Sequence, residues 1–338
     1  MIESGLSARE AVIQTLGGGI GRVVLDGTDK NAVMALPEES EVLSWVDGLS
    51  NWGRWGDDDQ LGTLNLITPD VRRRAAATVE EGISVSCAWD VPAGPVGIEG
   101  VVTATPEVAG TKFGYSTEQI TGLTVHGLAS THLDALCHVF WDGQMYNGRS
   151  SDLVSADGGA TQLPITVARD GIMTRGVLLD VAAVRNVPWL KPGEGVFPDE
   201  LEAAESRQGV RVQSGDAVLL RTGFGRYRRE TGWQPGAEGG DSQPGWHAAS
   251  LPWLREREVS LIGCDTGNDA MPSGYPAILL PVHVVALVAM GLWLMDNCDL
   301  EDLSATAARL SRWDFQLALC PLTLAGLTSS PVNPIATF

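Results

Sequence analysis

The chain has 338 residues, 44% of them hydrophobic and 19% charged, so it can bury a sizeable core as one large or two ordinary domains. Its 23 basic and 42 acidic residues give a formal net charge of −19, which argues against binding to nucleic acid or anionic lipid. The longest apolar run, residues 286–295, is interrupted by Gly291 and is too short to cross a bilayer. These limits favour a protein that handles a small molecule, with no nucleic-acid partner and no membrane partner.

The cysteines and the first residues bear on the cellular compartment. The five cysteines are widely spaced and include no Cys-x-x-Cys pair, so neither a disulfide framework nor a zinc knuckle is predicted. Residues 1–4 lack the basic start and apolar core of a signal peptide. We therefore expect a cytoplasmic protein. Cys137, which precedes a histidine, is interpreted as a small core residue and not as a nucleophile.

The N-terminal segment differs in composition from the rest of the chain. Residues 1–44 are of mixed polarity and end in an acidic run, after which a tryptophan-rich stretch begins at Trp45. We predict an arm or cap over residues 1–44 and a catalytic domain over residues 45–338. The glycine-rich residues 17–21 are interpreted as a turn, because no strand precedes them and no Gly-Lys-Ser/Thr follows, as a phosphate-binding loop requires.

Strand-like and helix-like runs alternate through the middle of the chain. Thr68 and Pro69 predict the start of a helix that runs to about Glu81 and ends at Gly82. Continuous apolar runs predict buried strands at residues 176–181, 217–221 and 259–265. Helices are predicted between them at residues 198–208 and 246–257. This order indicates an α/β fold with a mixed sheet flanked by helices.

A second helix and strand follow near residue 280. Pro281 predicts a helix that continues through Met290 and ends at Gly291, and residues 292–295 then read as a strand that leads into Asp296. His283 at the helix start and Asp296 at the strand end are rim positions, where functional side chains tend to be displayed. The alternative is that they only cap the helix and the following turn.

Three of the five histidines, namely His126, His132 and His138, fall within thirteen residues. If residues 124–134 are extended, His132 and Asp134 share one face, as a pair of metal ligands would. Imidazole and carboxylate suit zinc or manganese. His138 lies four positions beyond Asp134, where a loop or helical turn can return its ring to the same face as a general base. The alternative is that His132 and Asp134 hydrogen-bond to each other in a polar core.

The segment from Leu128 to His138 resembles the signature of the cyclase family, His-x-Gly-Thr-His-x-Asp-x-Pro-x-His. This family includes bacterial kynurenine formamidase and isatin hydrolase. The resemblance extends from about Asn51 to Phe338, and residues 140–148 and 280–297 look like its long-chain branch. It implies a swivelling β/β/α fold, assembly as a homodimer or homotetramer, and a divalent metal, zinc or manganese, that activates water for attack on a carbonyl.

The resemblance also implies roles for particular residues. His132 and Asp134 take the positions of two metal ligands, His138 that of the catalytic base, and His283 and Asp296 those of a second metal site. Two positions depart from the family pattern. The first ligand histidine of the signature falls at Leu128, and the distal glutamate is replaced by the shorter Asp296.

His126 is the natural replacement for the missing ligand, because it lies on the same face two residues before Leu128. Its Cα, however, would be ~6–7 Å further along an extended strand.

The leading hypothesis is a hydrolase that acts on a small cyclic or aromatic amide, imide or lactone through metal-activated water, with His138 as general acid and base. Trp52, Trp55 and Trp141, together with Leu128 and His126, are predicted to line the substrate pocket. The alternative reading of the tryptophans is that they belong to the core.

Two other functions remain open at this stage. A metal-independent cyclase or dehydratase of a biosynthetic pathway would use His138 oriented by Asp134 or Asp296. A catalytically silent binding protein would keep the fold without turnover. The acidic residues 265–269 look like an exposed loop after a strand, either part of the pocket rim or a plain turn, and we do not place them in the site.

Overall fold

The computed structural model describes residues 36–91, 106–112, 115–120, 124–233 and 242–338. Its strands are β1 (Ser84–Ser86), β2 (Pro106–Lys112), β3 (Tyr115–Ile120), β4 (His132–Asp134), β5 (Gln144–Met145), β6 (Arg149–Ser150), β7 (Val154–Ser155), β8 (Gly159–Ala160), β9 (Ile172–Asp180), β10 (Gly195–Val196), β11 (Ala217–Arg221), β12 (Gly245–Trp246), β13 (Leu261–Cys264), β14 (Trp293–Asp296), β15 (Asp314–Leu319), β16 (Ser329–Pro331) and β17 (Ile335–Thr337).

The helices surround these strands. They are α1 (Glu39–Gly48), α2 (Pro69–Ala76), α3 (Val181–Val184), α4 (Pro198–Gln208), α5 (Phe224–Thr231), α6 (Leu251–Glu256), α7 (Pro281–His283) and α8 (Glu301–Leu310), with a π-helix at Val284–Met290 and 3₁₀ turns at Gly62–Leu66, Tyr146–Gly148, Ser151–Leu153, Ile165–Ala168 and Ala248–Ser250. In the part of the chain that is described, no helix is both long and apolar enough to span a membrane.

Nine strands form one mixed sheet in the order β1-β17-β15-β9-β11-β13-β14-β4-β16. The central strands β9, β11, β13 and β14 run parallel, and antiparallel strands flank them on both sides. Strands β11, β13 and β14 are buried along their whole length, as expected for parallel strands with both faces covered. The predicted α/β fold with a mixed sheet and flanking helices is therefore confirmed.

The strongest sequence signals give the right elements. The predicted strand at residues 217–221 is β11, and the predicted helix at residues 198–208 is α4. The strands predicted at residues 176–181 and 259–265 lie over β9 and β13. Strand β9 ends one residue early because the Asp180 carboxylate accepts a hydrogen bond from the Ala183 amide and begins α3.

Two predicted helices are too long. Helix α2 begins at Pro69 with the Thr68 cap but ends at Ala76, not at Glu81. The amides of Glu81 and Gly82 donate instead to the carbonyl of Phe338, which draws this segment onto the sheet. The helix predicted at residues 246–257 begins only at Leu251, because residues 245–246 pair with β10 as strand β12.

The helix that begins at Pro281 has the predicted extent but not the predicted geometry. After α7 the chain continues as a π-helix to Met290, and Gly291 ends it in the left-handed region at φ 61°. Strand β14 then follows and carries Asp296 at its end, as predicted.

Helix α1 packs against this π-helix and buries Val42. The predicted boundary between residues 44 and 45 falls inside α1. Residues 1–35, including the glycine-rich residues 17–21, lie outside the described residues, so the arm or cap stays a prediction.

Candidate metal centre

The pairing of β4 with β14 brings the first ligand candidates together. The antiparallel register sets His132 directly opposite Asp296, so both side chains point to the same face of the sheet, and Asp134 follows two residues later on that face. His132 Nε2 lies 3.6 Å from Asp134 Oδ1 and 3.8 Å from Asp296 Oδ2. All three side chains are buried.

Two further histidines reach the same point from other elements. His283, the last residue of α7, directs Nε2 to within 3.6 Å of both Asp134 Oδ2 and Asp296 Oδ2. His138 sits in a turn closed by the hydrogen bond from its amide to the Ala135 carbonyl, and its Nε2 lies 3.9 Å from Asp134 Oδ2. The five residues predicted as metal ligands and catalytic base thus lie in one cluster.

His126 also lies in the cluster, although an extended strand would hold it too far from Asp134. Residues 126–130 bend and only residues 132–134 are a strand, so the extended conformation considered for residues 124–134 is wrong over most of that length. Asn297 Nδ2 donates to the Gly127 carbonyl at 2.7 Å, and Gly127 takes a φ of 107° that favours glycine. The bend brings His126 Nδ1 to 3.3 Å from Asp134 Oδ1.

Asp134 lies at the centre of this arrangement with both carboxylate oxygens buried. Neither oxygen has a hydrogen-bond partner among the described residues, although ring nitrogens of His126, His132, His138 and His283 surround them at 3.3–3.9 Å. Most of these separations exceed hydrogen-bond length, and a buried carboxylate left without partners is costly. A cation between the carboxylate and the imidazoles removes that cost.

In two of the imidazole rings, the nitrogen that faces away from the cluster donates a hydrogen bond to an oxygen acceptor. His132 Nδ1 lies 2.9 Å from the Ser130 carbonyl, which only accepts, so Nδ1 carries the proton and the lone pair of Nε2 faces the carboxylates. His283 Nδ1 likewise donates to Asp269 Oδ2 at 2.6 Å. Imidazoles fixed from behind in this way are typical of metal ligands.

The donor atoms fall into two groups that share Asp134. One group is His126, His132 and Asp134, the other is Asp134, His283 and Asp296, and within each group the atoms lie within 4.8 Å of one another. Nitrogen and carboxylate oxygen donors suit a divalent metal such as zinc or manganese. The residues present therefore fit such an ion.

Burial and mutual charge shift the pKa values of this cluster. Burial lowers the pKa of His138 to about 4; the Asp134 carboxylate opposes this shift, and the neighbouring His126 and His283 add to it. Burial opposes ionisation of Asp134, but the surrounding histidines outweigh it and hold the pKa of Asp134 well below its usual range. For His283 the carboxylates of Asp296, Asp134 and Asp269 outweigh burial and raise its pKa well above the ordinary value.

The exposure predicted for residues 265–269 is wrong, since all five are buried. Asp269 accepts hydrogen bonds from the amides of Val282 and His283 as well as from the His283 ring. Asn268 donates through Nδ2 to Asp296 Oδ1. The available signal was an acidic turn directly after a buried parallel strand, an edge where functional side chains converge.

The predicted pocket residues are placed less uniformly. The indole of Trp52 donates to the Val288 carbonyl at 2.7 Å, Trp55 lies under the Arg54 guanidinium at 4.7 Å, and Trp141 packs against the core. Their part in binding substrate stays a prediction. Leu128 lies beside Gly267, and Asp296 Oδ2 also lies near that glycine.

Comparison with known proteins supports the same fold. A crystal structure of a novel cyclase shares 28% sequence identity and a TM-score of 0.74, covering 86% of this chain and 100% of that one. Isatin hydrolase A from Labrenzia aggregata bound to benzyl benzoate is similar in fold at 18% identity and a TM-score of 0.51, covering 78% of this chain and 94% of its own. An isatin hydrolase bound to the product analogue thioisatinate gives 19% identity and a TM-score of 0.53 over 77% of this chain and 93% of its own.

No individual curated protein matches the chain. The model of the Cyclase family matches residues 68–268, which is more than half of the chain. That segment carries β4, with His132 and Asp134, and ends one residue before Asp269. The chain therefore belongs to the Cyclase family.

Proposed function

We propose that the protein is a metal-dependent hydrolase that cleaves a small cyclic or aromatic amide, imide or lactone. One observation carries the proposal: both oxygens of the buried Asp134 lack hydrogen-bond partners among the described residues while four histidine rings face them. His132, Asp134, His283 and Asp296 would hold the metal, zinc or manganese. A bound divalent cation would supply polarisation of the substrate carbonyl and a lowered pKa of water.

His138 is the residue best placed to move protons. Its side chain is 26% exposed, whereas the side chains of His132 and Asp134 are each 1% exposed, so it stands on the open side of the cluster. It would accept a proton from water as the water oxygen bonds to the carbonyl carbon. It would then deliver that proton to the departing nitrogen or oxygen as the C–N or C–O bond breaks.

The substrate class rests on the setting of the cluster. Aromatic side chains at Trp52, Trp55 and Trp141 would provide an apolar wall for a small cyclic or aromatic compound. Because isatin hydrolases have the same fold, small aromatic compounds with an amide in a ring are the first class to assay.

The test compares metal-free and metal-loaded protein on a panel of cyclic amides, imides and lactones. Protein stripped with a chelator is assayed before and after addition of Zn²⁺ or Mn²⁺, and ring opening is followed by absorbance and by acid release. We expect activity only in the loaded protein, and loss of at least ~10²-fold in His132→Ala and in His138→Ala. His247→Gln, a change of a buried histidine outside the cluster, is the matched control.

The outcome that contradicts the proposal is equally concrete. Protein shown to hold no metal, yet turning over at an unchanged rate, excludes the metal-dependent mechanism. Sensitivity to His138→Ala but not to His132→Ala would then favour the acid–base cyclase, and binding without turnover a silent binding protein.

A further inference from the structure

The metal-binding signature is interrupted in this chain at Leu128. The resemblance puts the first ligand histidine of the family at that position, and a leucine offers no donor atom. The leucine lies instead beside Gly267. The donor lost at residue 128 is therefore either missing or supplied from elsewhere.

His126 offers a donor at the right distance. Its Nδ1 lies 3.3 Å from Asp134 Oδ1, and His132 Nε2 lies 3.6 Å from that same oxygen. Around a tetrahedral ion with bonds of about 2.1 Å, neighbouring donor atoms lie about 3.4 Å apart. His126 Nδ1 is also buried without a hydrogen-bond partner among the described residues.

The other ring nitrogen of His126 is already engaged. Its Nε2 lies 3.1 Å from the hydroxyl oxygen of Thr328. When this hydroxyl accepts a hydrogen bond from Nε2–H, the lone pair of Nδ1 faces Asp134, as a metal ligand requires. The Thr328 carbonyl accepts from the Ala135 amide one residue after Asp134, so the same residue tethers both the ring and the strand.

The backbone fold makes the displaced position reachable. Ser130 Oγ donates to the Val125 carbonyl at 2.9 Å, and Asn297 binds the carbonyls of Gly127 and Ser130. The loop is thereby folded back on itself, which removes the extra length that an extended strand would place between residues 126 and 134. The His126 ring then stacks on the His138 ring at 3.8 Å with an interplanar angle of 9°.

We infer that His126 has replaced residue 128 as the metal ligand beside His132 and Asp134, with Thr328 as its positioning residue. The inference rests on the proposed metal-dependent function and deepens it. It gives the chain a complete three-donor group in spite of Leu128. It also puts a metal ligand in direct contact with the ring of the proposed catalytic base.

The experiment measures metal content and affinity, with no need for a substrate. Chelator-stripped protein is titrated with Zn²⁺ against a chromophoric chelator, and bound metal is counted by mass spectrometry. We expect His126→Ala to lose one metal equivalent or to weaken it at least ~100-fold, and the double variant His126→Ala/Leu128→His to regain it. Leu128→Ala, in the same loop, should keep the wild-type stoichiometry.

Thr328 is tested separately because its effect is indirect. Thr328→Val removes the hydroxyl at nearly constant volume and should weaken the same equivalent ~10–100-fold, whereas Thr328→Ser should retain wild-type affinity. The visible spectrum of Co²⁺-loaded protein should change in His126→Ala, because the cation loses a nitrogen ligand. Thermal unfolding of each metal-free variant checks that the fold is intact.

The possible failures are distinct. A wild-type chain that binds no metal overturns the proposed function. A wild-type chain that binds metal, with His126→Ala unchanged in stoichiometry, affinity and Co²⁺ spectrum, overturns only the role of His126. Equal affinities of Thr328→Val and Thr328→Ser overturn the role of Thr328.

Discussion

Asp269 binds the His283 ring and also the two backbone amides at the start of α7, so one carboxylate fixes both the helix terminus and the imidazole that it carries. The buried carboxylate keeps the proton on Nδ1 and turns Nε2 toward Asp134 and Asp296. Side chains that orient metal ligands from behind typically contribute a factor of 10–100 to metal affinity.

We therefore predict that Asp269→Asn weakens metal binding by ~10–100-fold, because an amide no longer fixes the charge and tautomer of His283. Chelator competition measures the change, and Asp170→Asn, a substitution of an exposed aspartate, is the control. Wild-type affinity in Asp269→Asn would show that the carboxylate only caps α7.

His247 gives a residue-scale prediction on pH that is independent of the cluster. It is 3% exposed, stacks on Phe197 at 4.3 Å, and burial lowers its pKa to about 4. Between pH 6.5 and 4 the unfolded chain therefore binds a proton at this residue that the folded chain does not. The free energy of unfolding should fall as the pH falls through this range, with a contribution from His247 of up to about 3 kcal/mol.

Urea denaturation at pH 7.5 and pH 5 measures this effect as the difference between the wild type and His247→Gln, since the other titrating groups are common to both. We expect a smaller loss of stability at pH 5 in the variant. An equal loss in both proteins would mean that His247 is protonated in the folded state.

At the scale of elements, sequence patterns identify what local physics determines. Helix α4 and strand β11 are predicted to the residue because a proline at the helix start and an unbroken apolar run are local signals. The end of α2 is not, because its last residues give up helical bonding for the carbonyl of Phe338, more than 250 residues away. Tertiary competition of this kind leaves no mark on the local pattern.

The residues of the candidate site also fall into those that local sequence predicts and those that depend on tertiary contacts. His132, Asp134 and His138 are found from spacing alone, and His283 and Asp296 from the ends of a helix and a strand. Asp269 was missed because a polar turn looks solvated in sequence, while the structure buries it under α7. His126 comes close to Asp134 because the loop bends, and this bend is held by the hydrogen bond from Asn297 to the Gly127 carbonyl. These two residues are 170 positions apart, so the periodicity of the local sequence cannot indicate their contact.

The π-helix offers a prediction at the same scale. Gly291 ends it at φ 61°, and a Cβ added there would lie 2.5 Å from the Tyr146 ring. Gly209 ends α4 at φ 65° with nothing within 4 Å of such a Cβ, so it is a matched control. Gly209→Ala should cost only the backbone strain, about 1–2 kcal/mol, and Gly291→Ala should cost that and an overpacking penalty of about 1–3 kcal/mol more.

The free energies of unfolding of the two variants, measured with denaturant, show whether Gly291→Ala costs only backbone strain or also a steric clash with Tyr146. If Gly291→Ala and Gly209→Ala lose equal stability, the contact with Tyr146 relaxes freely and the ending of the π-helix is not a tightly packed point.

At the scale of the whole molecule, the cluster forms where the parallel part of the sheet meets its antiparallel edge. Strand β14 is the last parallel strand, and β4 lies beside it between β14 and β16. The unpaired charge of Asp134 in this interior makes the folded state the form that binds a cation, and a ligand that binds only the folded state stabilises it.

Metal removal should therefore lower the melting temperature by several degrees, because free metal at 1,000 times Kd contributes about 4 kcal/mol. Differential scanning calorimetry with chelator, and after return of Zn²⁺ or Mn²⁺, measures the shift. His132→Ala should respond less to metal than the wild type does, and an unchanged melting temperature of the wild type would contradict the prediction. Light scattering of the same samples tests the homodimer or homotetramer that the family resemblance implies.

The position of β4 in the sheet affects the order in which the protein folds. His132 and Asp134 are synthesised more than 150 residues before Asp296, their neighbour in the sheet, and β16 closes the other side of β4 later still. A contact between residues so far apart in the chain forms late, because the entropy cost of closing the long loop comes before the stabilisation from strand pairing. Metal capture is thus expected among the last steps of folding, and a nascent chain that stops short of β14 would expose its histidines without being able to hold the ion.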